Sequence, residues 1–224
     1  MVLSYLKLLN QIEVIMSQIF DFFFGQYSLY DSIDIWLEII AVIFGFLSVW
    51  FSKNNNVLVF PSGMISTSIF AYLLLKWELF GDMMINIYYF FMSIYGWYIW
   101  TRKIDENNVT PISKMTSMEK QISLIIFTLT LAFVYLVYNI LDKWNGWTAY
   151  ADTITTAIFF VGMWLMARRK IENWTYWIVG NIISIPLYFY KGLTFISLQY
   201  IIFTFMAILG YHAWKKNINS NLLI

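Results

Sequence analysis

Seven runs of mostly apolar residues, each about long enough to cross a bilayer, follow one another along this chain. A hydrocarbon core asks for about 20 such residues per helix. A backbone in lipid can satisfy its own polar groups only as a helix or a closed barrel. The runs are Ile33–Phe51, Val57–Leu75, Met83–Thr101, Gln121–Leu141, Ala149–Ala167, Trp174–Tyr190 and Phe195–Trp214. Charged residues make up 12% of the chain, about half of what an ordinary soluble surface carries. The pattern predicts an all-α membrane protein of seven transmembrane helices. Before the first run, Leu8, Ile12, Ile15, Ile19 and Phe22–Phe23 recur at helical spacing among Asn10, Gln11, Glu13, Gln18 and Asp21. No small-residue cleavage site follows an uninterrupted apolar core, so the segment reads as an amphipathic helix at the membrane surface and not as a signal peptide.

Threading the runs alternately through a membrane sorts the cations. Lys53, Arg102, Lys103, Lys114, Lys120, Arg168, Arg169, Lys170, Lys215 and Lys216 fall on one side; Lys76, Lys143 and Lys191 fall on the other. The positive-inside rule then predicts a cytoplasmic C-terminus and an outer start to the first span. The longest polar interval, from Arg102 to Lys120, carries Asp105, Glu106, Asn107, Asn108 and Pro111, which are loop residues.

A repeat runs through the chain at one offset, 114 residues. Glu38 matches Asp152, Ile40 matches Ile154, Phe46 matches Phe160 and Trp50 matches Trp164. The third run recurs in the seventh without a gap, as Ile87/Ile201, Phe91/Phe205, Met92/Met206, Ile94/Ile208, Gly96/Gly210 and Trp100/Trp214. Two three-helix units can point the same way only if an extra helix between them carries the chain back, and Gln121–Leu141 fills that role. The expected architecture is 3+1+3: two parallel three-helix bundles joined by a linker helix. Its divisions are 1–30 (amphipathic segment), 31–104 (first bundle), 105–147 (polar loop and linker helix), 148–217 (second bundle) and 218–224 (cytoplasmic tail). Parallel repeats of this kind are a standard transporter construction, with the solute near the midplane at the repeat interface.

Several chemistries are excluded or made remote. Cysteine is absent, which removes disulfides, thiolate metal sites and a cysteine nucleophile. The one histidine, His212, stands at the end of the last run with no acid or nucleophile at a matching spacing. A net charge of +1 gives no reason to expect a nucleic-acid partner. No glycine-rich phosphate loop is present, and no cofactor or metal is expected. A membrane-embedded enzyme would have to rest on carboxylates near opposite helix ends, and a structural scaffold would not need amides and tyrosines at the repeat interface.

Polar groups inside spans are costly and normally face the bundle interior or a watery cavity. Asn86, Asn181 and Gln199 lie within the third, sixth and seventh spans. Each amide can either clamp two helices or bind the hydroxyl and carboxamide groups of a solute. Trp174, Trp177, Asn181 and Tyr188 form one stripe on a helix of 3.6 residues per turn. That stripe reads equally as an interfacial aromatic belt or as a stacking wall for a flat ring. Glu38 and Asp152 mark the outer ends of the first and fifth spans, where they stand in water or attract a cation. Lys76 and Lys191 are expected to snorkel to the outer headgroups. Gly96 and Gly210 are expected packing glycines, and Pro61 and Pro186 are candidate hinges or static kinks.

With these residues in view, the sequence resembles the PnuC family of vitamin transporters. The likeness rests on YGWYIW (Tyr95–Trp100), WTYWIVGNIISIPLYFYKGL (Trp174–Leu193), QY at Gln199–Tyr200, GYHAW (Gly210–Trp214) and ADTITT (Ala151–Thr156). It runs from about Ile33 to Lys216. Gly162–Met163–Trp164 departs from the glutamine that relatives often carry there. The resemblance implies a SWEET-like fold in a bacterial inner membrane and homotrimeric assembly. It also implies uptake of nicotinamide riboside, an NAD precursor, by facilitated diffusion with alternating access, the solute being trapped by a cytoplasmic kinase. Thiamine or another vitamin is the alternative solute, and a sugar a more distant one. A cationic pyridinium over an indole gains about 1–2 kcal/mol when desolvated. The site expected on these grounds comprises Trp174, Trp177, Asn181, Tyr188, Asn86, Tyr89, Gln199, Tyr200 and Asp152. The first repeat has Val57, Phe60 and Met64 near the places of Trp174, Trp177 and Asn181, so the second half is expected to hold more of the solute.

Overall fold

The computed structural model describes residues 2–25, 30–77, 80–105, 108–142, 144 and 146–221. Lys143, Glu106, Asn107 and residues 222–224 of the expected tail lie outside the described residues, as do the side chains of Leu8, Phe22 and Phe23. Among the described residues the chain forms α1 (Val2–Phe24), α2 (Ser32–Lys53), α3 (Val59–Lys76), α4 (Phe80–Thr101), β1 (Lys103–Asp105), β2 (Asn108–Val109), α5 (Ser117–Ile140), α6 (Trp147–Ala167), α7 (Asn173–Tyr190) and α8 (Thr194–Asn221). The two strands pair antiparallel as a small hairpin.

Helices α2 to α8 follow the seven apolar runs, and their ends have local causes. α5 begins four residues before its run because Thr116 and Glu119 form a capping box. The Thr116 side chain accepts from the Glu119 N–H, and the Glu119 carboxylate accepts from the Thr116 N–H. The sequence Thr116-Ser-Met-Glu119 carries that signal openly. α8 continues past Trp214 to Asn221, so the helix runs through position 217 without a break. Pro61 falls in the first turn of α3, where its missing N–H has no helical partner to lose, which removes the reason to treat it as a hinge. Pro186 lies inside α7.

Among the described residues, five segments are long and apolar enough to cross a membrane: Ser32–Lys53, Val59–Lys76, Ser117–Ile140, Trp147–Ala167 and Ile196–Asn219. α4 and α7, rich in Tyr, Trp and Asn, are not among them. α2 packs on α3 and α3 on α4; α6 packs on α7 and α7 on α8; α5 lies on α6, while α2 meets α8 and α4 meets α6. α6 is the central helix, with half of its most apolar window buried. α1 touches the rest only lightly, through α8, and its described side chains from Leu9 to Asp21 are all exposed.

Bonds at one end of the molecule relate the halves to each other. Trp100 Nε1, at the end of α4, donates to the Met166 carbonyl at 3.2 Å. Trp214 Nε1, at the end of α8, donates to the Ser52 carbonyl at 2.8 Å. Donors and acceptors are each 114 residues apart, so the two bonds are images of one another. Asn55 and Arg169, also 114 apart, follow α2 and α6 with φ of 55° and 58°. This left-handed region suits Asn and costs Arg about 1–2 kcal/mol. The two side chains meet: Arg169 Nε and Nη2 donate to Asn55 Oδ1 at 3.1 and 2.8 Å. The guanidinium also lies over Trp100, 4.4 Å from the ring centroid, and Nη1 donates to the Thr110 carbonyl. Burial pulls the Arg169 guanidinium down to about 10, so it remains a cation at neutral pH.

The packing glycines obey the same symmetry. A Cβ on Gly96 would stand 2.2 Å from the Phe60 ring, and one on Gly210 would stand 2.5 Å from the Trp174 ring. Phe60 and Trp174 are again 114 residues apart. Around them lies the core: Val59, Phe60, Trp100, Ile112, Met163, Met166, Ile171, Trp174, Ala207 and Trp214. At the opposite end each half closes an ion pair. Lys76 reaches Asp34 at 2.6 Å and Asp31 at 2.9 Å, and Lys191 pairs with Asp152. Both lysines therefore turn to carboxylates of their own half. The expectation that they reach for headgroups is corrected by these contacts, since a nearby carboxylate offers a fixed partner for the ammonium.

Candidate functional site

Helices α4, α6, α7 and α8 are joined by a run of aromatic rings. Tyr188 of α7 stacks on Tyr200 of α8 with centroids 5.2 Å apart, and Tyr200 lies 6.1 Å from Phe159 of α6, nearly parallel. Phe159 stacks on Trp177 at 5.4 Å, and Trp177 meets Tyr89 of α4 edge-on at 6.2 Å. Tyr89 continues to Phe160, which lies flat on Tyr88 at 3.9 Å. Tyr88 is fixed by donating its hydroxyl to the Phe160 carbonyl at 3.0 Å. Rings at these spacings pack as offset stacks or edge-to-face pairs, each worth about 0.5–1.5 kcal/mol.

Asn181 lies two turns below Tyr188 on α7. It is 3% exposed, while the buried polar atom left without a partner at the start of the same helix is the Trp174 indole nitrogen. Gln199 is half-buried beside Tyr200 on α8. The amide of Asn86 donates to the Asp82 carbonyl one turn back in α4, at 3.0 Å.

The end of this aromatic run nearer Lys191 is charged. Asp152 holds Lys191 and accepts from the Tyr138 hydroxyl at 3.5 Å, while the Lys191 ammonium lies 5.4 Å from the centre of the Tyr188 ring. Asp82, near the start of α4, is within electrostatic reach of Asp152, Lys191, Tyr138, Tyr188 and Tyr200. Two carboxylates and one ammonium stand at this end of the run.

Of the expected residues, the structure brings Trp177, Tyr89, Tyr188 and Tyr200 into one aromatic run, with Asp152 at its charged end and Asn181 on the same helix as Trp177 and Tyr188. Asn86 is tied to its own helix. Trp174 stands apart. It is 2% exposed, set edge-on to Trp214 at 5.6 Å and pressed against Gly210, among the core rings at the Arg169 end. One turn of helix separates it from Trp177, and the stripe drawn from spacing divides there into a core tryptophan and a ring at the site. Sequence reasoning missed Phe159, Tyr138 and Asp82. Asp82 was lost because the third run was begun at Met83. Phe159 carries no polar signal; only its place one residue before the repeat-matched Phe160 marked its neighbourhood.

Helices of bilayer length and a run of aromatic rings ending among charged groups suit a multi-pass membrane carrier. Comparisons with known proteins agree. The family model of the nicotinamide mononucleotide transporters matches residues 35–216. The chain belongs to that family. It is 24% identical over 206 residues to the nicotinamide riboside transporter PnuC of Escherichia coli strain K12, covering 80% of this chain and 84% of the relative. To PnuC of Neisseria mucosa it is 27% identical over 192 residues, covering 82% and 73%. To the riboflavin/roseoflavin transporter RibM of Streptomyces davaonensis it is 23% identical over 195 residues, covering 83% and 87%. A crystal structure of the vitamin B3 transporter PnuC superposes with a TM-score of 0.64 at 24% identity, covering 92% of this chain and 88% of that one, which shows a shared fold. The protein is a multi-pass membrane transporter of the PnuC family.

Proposed function

We propose that the protein takes up nicotinamide riboside across a bacterial inner membrane by facilitated diffusion with alternating access. The observation that carries this reading is the aromatic run itself, with Asn181 buried on the same helix as two of its rings. Nicotinamide riboside offers what that geometry suits: a flat cationic ring to lie against Trp177, Tyr89 and Tyr200, and a carboxamide and hydroxyls for Asn181 and Gln199. Cation–π attraction to such rings is worth about 1–2 kcal/mol once water is excluded. The carboxylates of Asp82 and Asp152 at the charged end of the run suit a cation better than an anionic solute.

In this reading seven helices cross the membrane as 3+1+3. Segment 31–104 forms the first bundle, 105–147 the polar loop and linker helix, and 148–217 the second. Segment 1–30 lies at the membrane surface, and 218–224 is a cytoplasmic tail. The end carrying Arg102, Arg168 and Lys170 is cytoplasmic, in keeping with the positive-inside rule. The Arg169–Asn55 contact then closes the cytoplasmic side while the Asp82/Asp152 mouth faces out. Homotrimeric assembly and trapping of the solute by a cytoplasmic kinase belong to the same proposal.

The test is uptake by purified protein in liposomes of labelled nicotinamide riboside, thiamine, riboflavin and a hexose, with and without ion gradients. Saturable riboside uptake that persists without a gradient supports the reading. A preference for riboflavin would move the chain toward the RibM kind of carrier, and strict dependence on a proton gradient would replace facilitated diffusion.

A further inference from the structure

At the cationic end, a cavity of about 220 Å³ is lined by Ile99, Arg102, Thr110, Arg168 and Lys170. At roughly 30 Å³ each, that is room for about seven waters. The lining comes from three separated stretches: the end of α4, the linker after the hairpin, and the turn between α6 and α7. Two of its cations are held in place. The Glu119 carboxylate, itself buried, accepts from Arg168 Nε and Nη2 at 3.1 Å and from Lys170 Nζ at 3.1 Å. Arg168 Nη1 also donates to the Tyr95 hydroxyl at 3.2 Å, and Lys170 Nζ to Ser113 Oγ at 2.9 Å.

The simple account of cations at this end is the positive-inside bias, which asks only for charges free in water. These are not free. The Lys170 side chain is 12% exposed and that of Arg168 38%, and they share a single carboxylate. Arg102 adds a third cation with no partner among the described residues. Lining and carboxylate together leave an excess of two positive charges around a small concave space. The guanidinium of Arg102, and the N–H groups that Arg168 and Lys170 keep beyond Glu119, Tyr95 and Ser113, line one cavity and suit the oxygens of a phosphate group. Basic pockets between helices near the headgroup level are where such groups bind membrane proteins.

We infer that this cavity is a phosphate-binding pocket. It takes the phosphate of an anionic lipid headgroup or of a soluble phosphate ester, bridging Arg102 on α4 to Arg168 and Lys170 on the α6–α7 turn. Because those elements belong to different halves, the bound anion ties the halves together beside the Arg169–Asn55 contact. The pocket is independent of which solute is carried and does not touch the aromatic run.

The experiment uses the full chain in neutral detergent. Native mass spectrometry with phosphatidylglycerol and phosphatidylcholine reads lipid retention, and thermal melts in inorganic phosphate against chloride at matched ionic strength read the soluble arm. Arg102→Gln is the informative variant, because Arg102 is exposed and makes no contact that folding needs. Lys215→Gln is the control, a cation at the same end outside the pocket. One phosphatidylglycerol per chain, retained over phosphatidylcholine and weakened about tenfold by Arg102→Gln alone, assigns the pocket to a lipid headgroup. Saturable stabilisation by inorganic phosphate that Arg102→Gln abolishes, without lipid selectivity, assigns it to a soluble phosphate ester. If neither ligand separates Arg102→Gln from the unmodified chain, or if Lys215→Gln loses as much, the pocket is not a phosphate site.

Discussion

The three helices α2–α4 and the three helices α6–α8 share a scaffold and differ in what they enclose. At the Arg169 end they are images: Trp100 and Trp214 each reach across to the other half, and Gly96 and Gly210 each accept a ring from their own. Toward the other end the likeness fails. At the constant offset of 114, Trp177 and Asn181 correspond to Gly63 and Thr67, which corrects the expected match to Phe60 and Met64. A Cβ on Gly63 would meet Ser48 and Ser93 hydroxyls at 3.2 and 3.4 Å, and Thr67 donates to the Gly63 carbonyl of its own helix at 2.8 Å. Where the second half opens an aromatic wall, the first closes helix on helix through small residues. Burial differs in the same sense, with 11% of the α2 window buried against 50% for α6, since α5 covers α6 and has no counterpart over α2. The duplicated part is the joint, and the unduplicated part is the aromatic run.

The largest effect is expected at the place where the halves meet unequally. Arg169→Met removes the bonds to Asn55 and Thr110 and leaves their oxygens unpaired at a partly buried position. The cost is about 3 kcal/mol, read as a fall in melting temperature of the detergent-solubilised protein. A melting temperature unchanged within error would mean that the halves are held by their helices alone. Next come Gly96→Ala and Gly210→Ala, each forcing a methyl into a buried ring at a cost of about 2 kcal/mol. Equal losses support the shared joint; a loss in one only would break the symmetry drawn above.

A smaller pair of variants sharpens the functional contrast. Asn181→Ala is expected to weaken riboside uptake about tenfold, since one buried hydrogen bond to solute is worth about 1.4 kcal/mol. Thr67→Ala, its image, should leave uptake within about twofold. Equal effects would mean that the two halves share the solute. The smallest changes belong to Trp100→Phe and Trp214→Phe. Each keeps an aromatic ring and loses one hydrogen bond to a carbonyl of the other half, costing about 1 kcal/mol in stability. Melting curves of the two variants should coincide.

Much of the fold was legible because lipid imposes it. Every helix from α2 to α8 answers an apolar run, and boundaries agree within four residues except at Asn221, where α8 outlasts its apolar stretch. The offset of 114 was visible in Trp100/Trp214 and Gly96/Gly210, whose partners were not: which carbonyl an indole reaches depends on how the bundles meet. Arg169 shows the limit. In the sequence it was one more cation on the positive side, and only the turn that follows α6 turns it inward onto Asn55. Asn181 stood out because its side-chain chemistry is unusual for a span, whereas two tryptophans one turn apart looked alike and pack differently. Trp174 and Trp177 differ in what stands opposite, Gly210 for one and Tyr89 for the other, and a one-helix stripe carries no information about the facing helix. α4 and α7, the helices with the weakest membrane signal, supply the rings and amides of the site because those residues lower their hydropathy.

The meeting of Asn55 with Arg169 has a consequence for ancestry. Positions related by the repeat can touch each other only on the approximate two-fold axis between the halves. If the chain arose by fusing two copies of one dimer-forming unit, this position once faced its own duplicate, as every axial residue of a symmetric dimer does. An arginine there would have met an arginine with no carboxylate between them, whereas an asparagine amide can both donate to and accept from its twin. The arginine fits here because its counterpart is not another arginine, so the two halves are not interchangeable at this position.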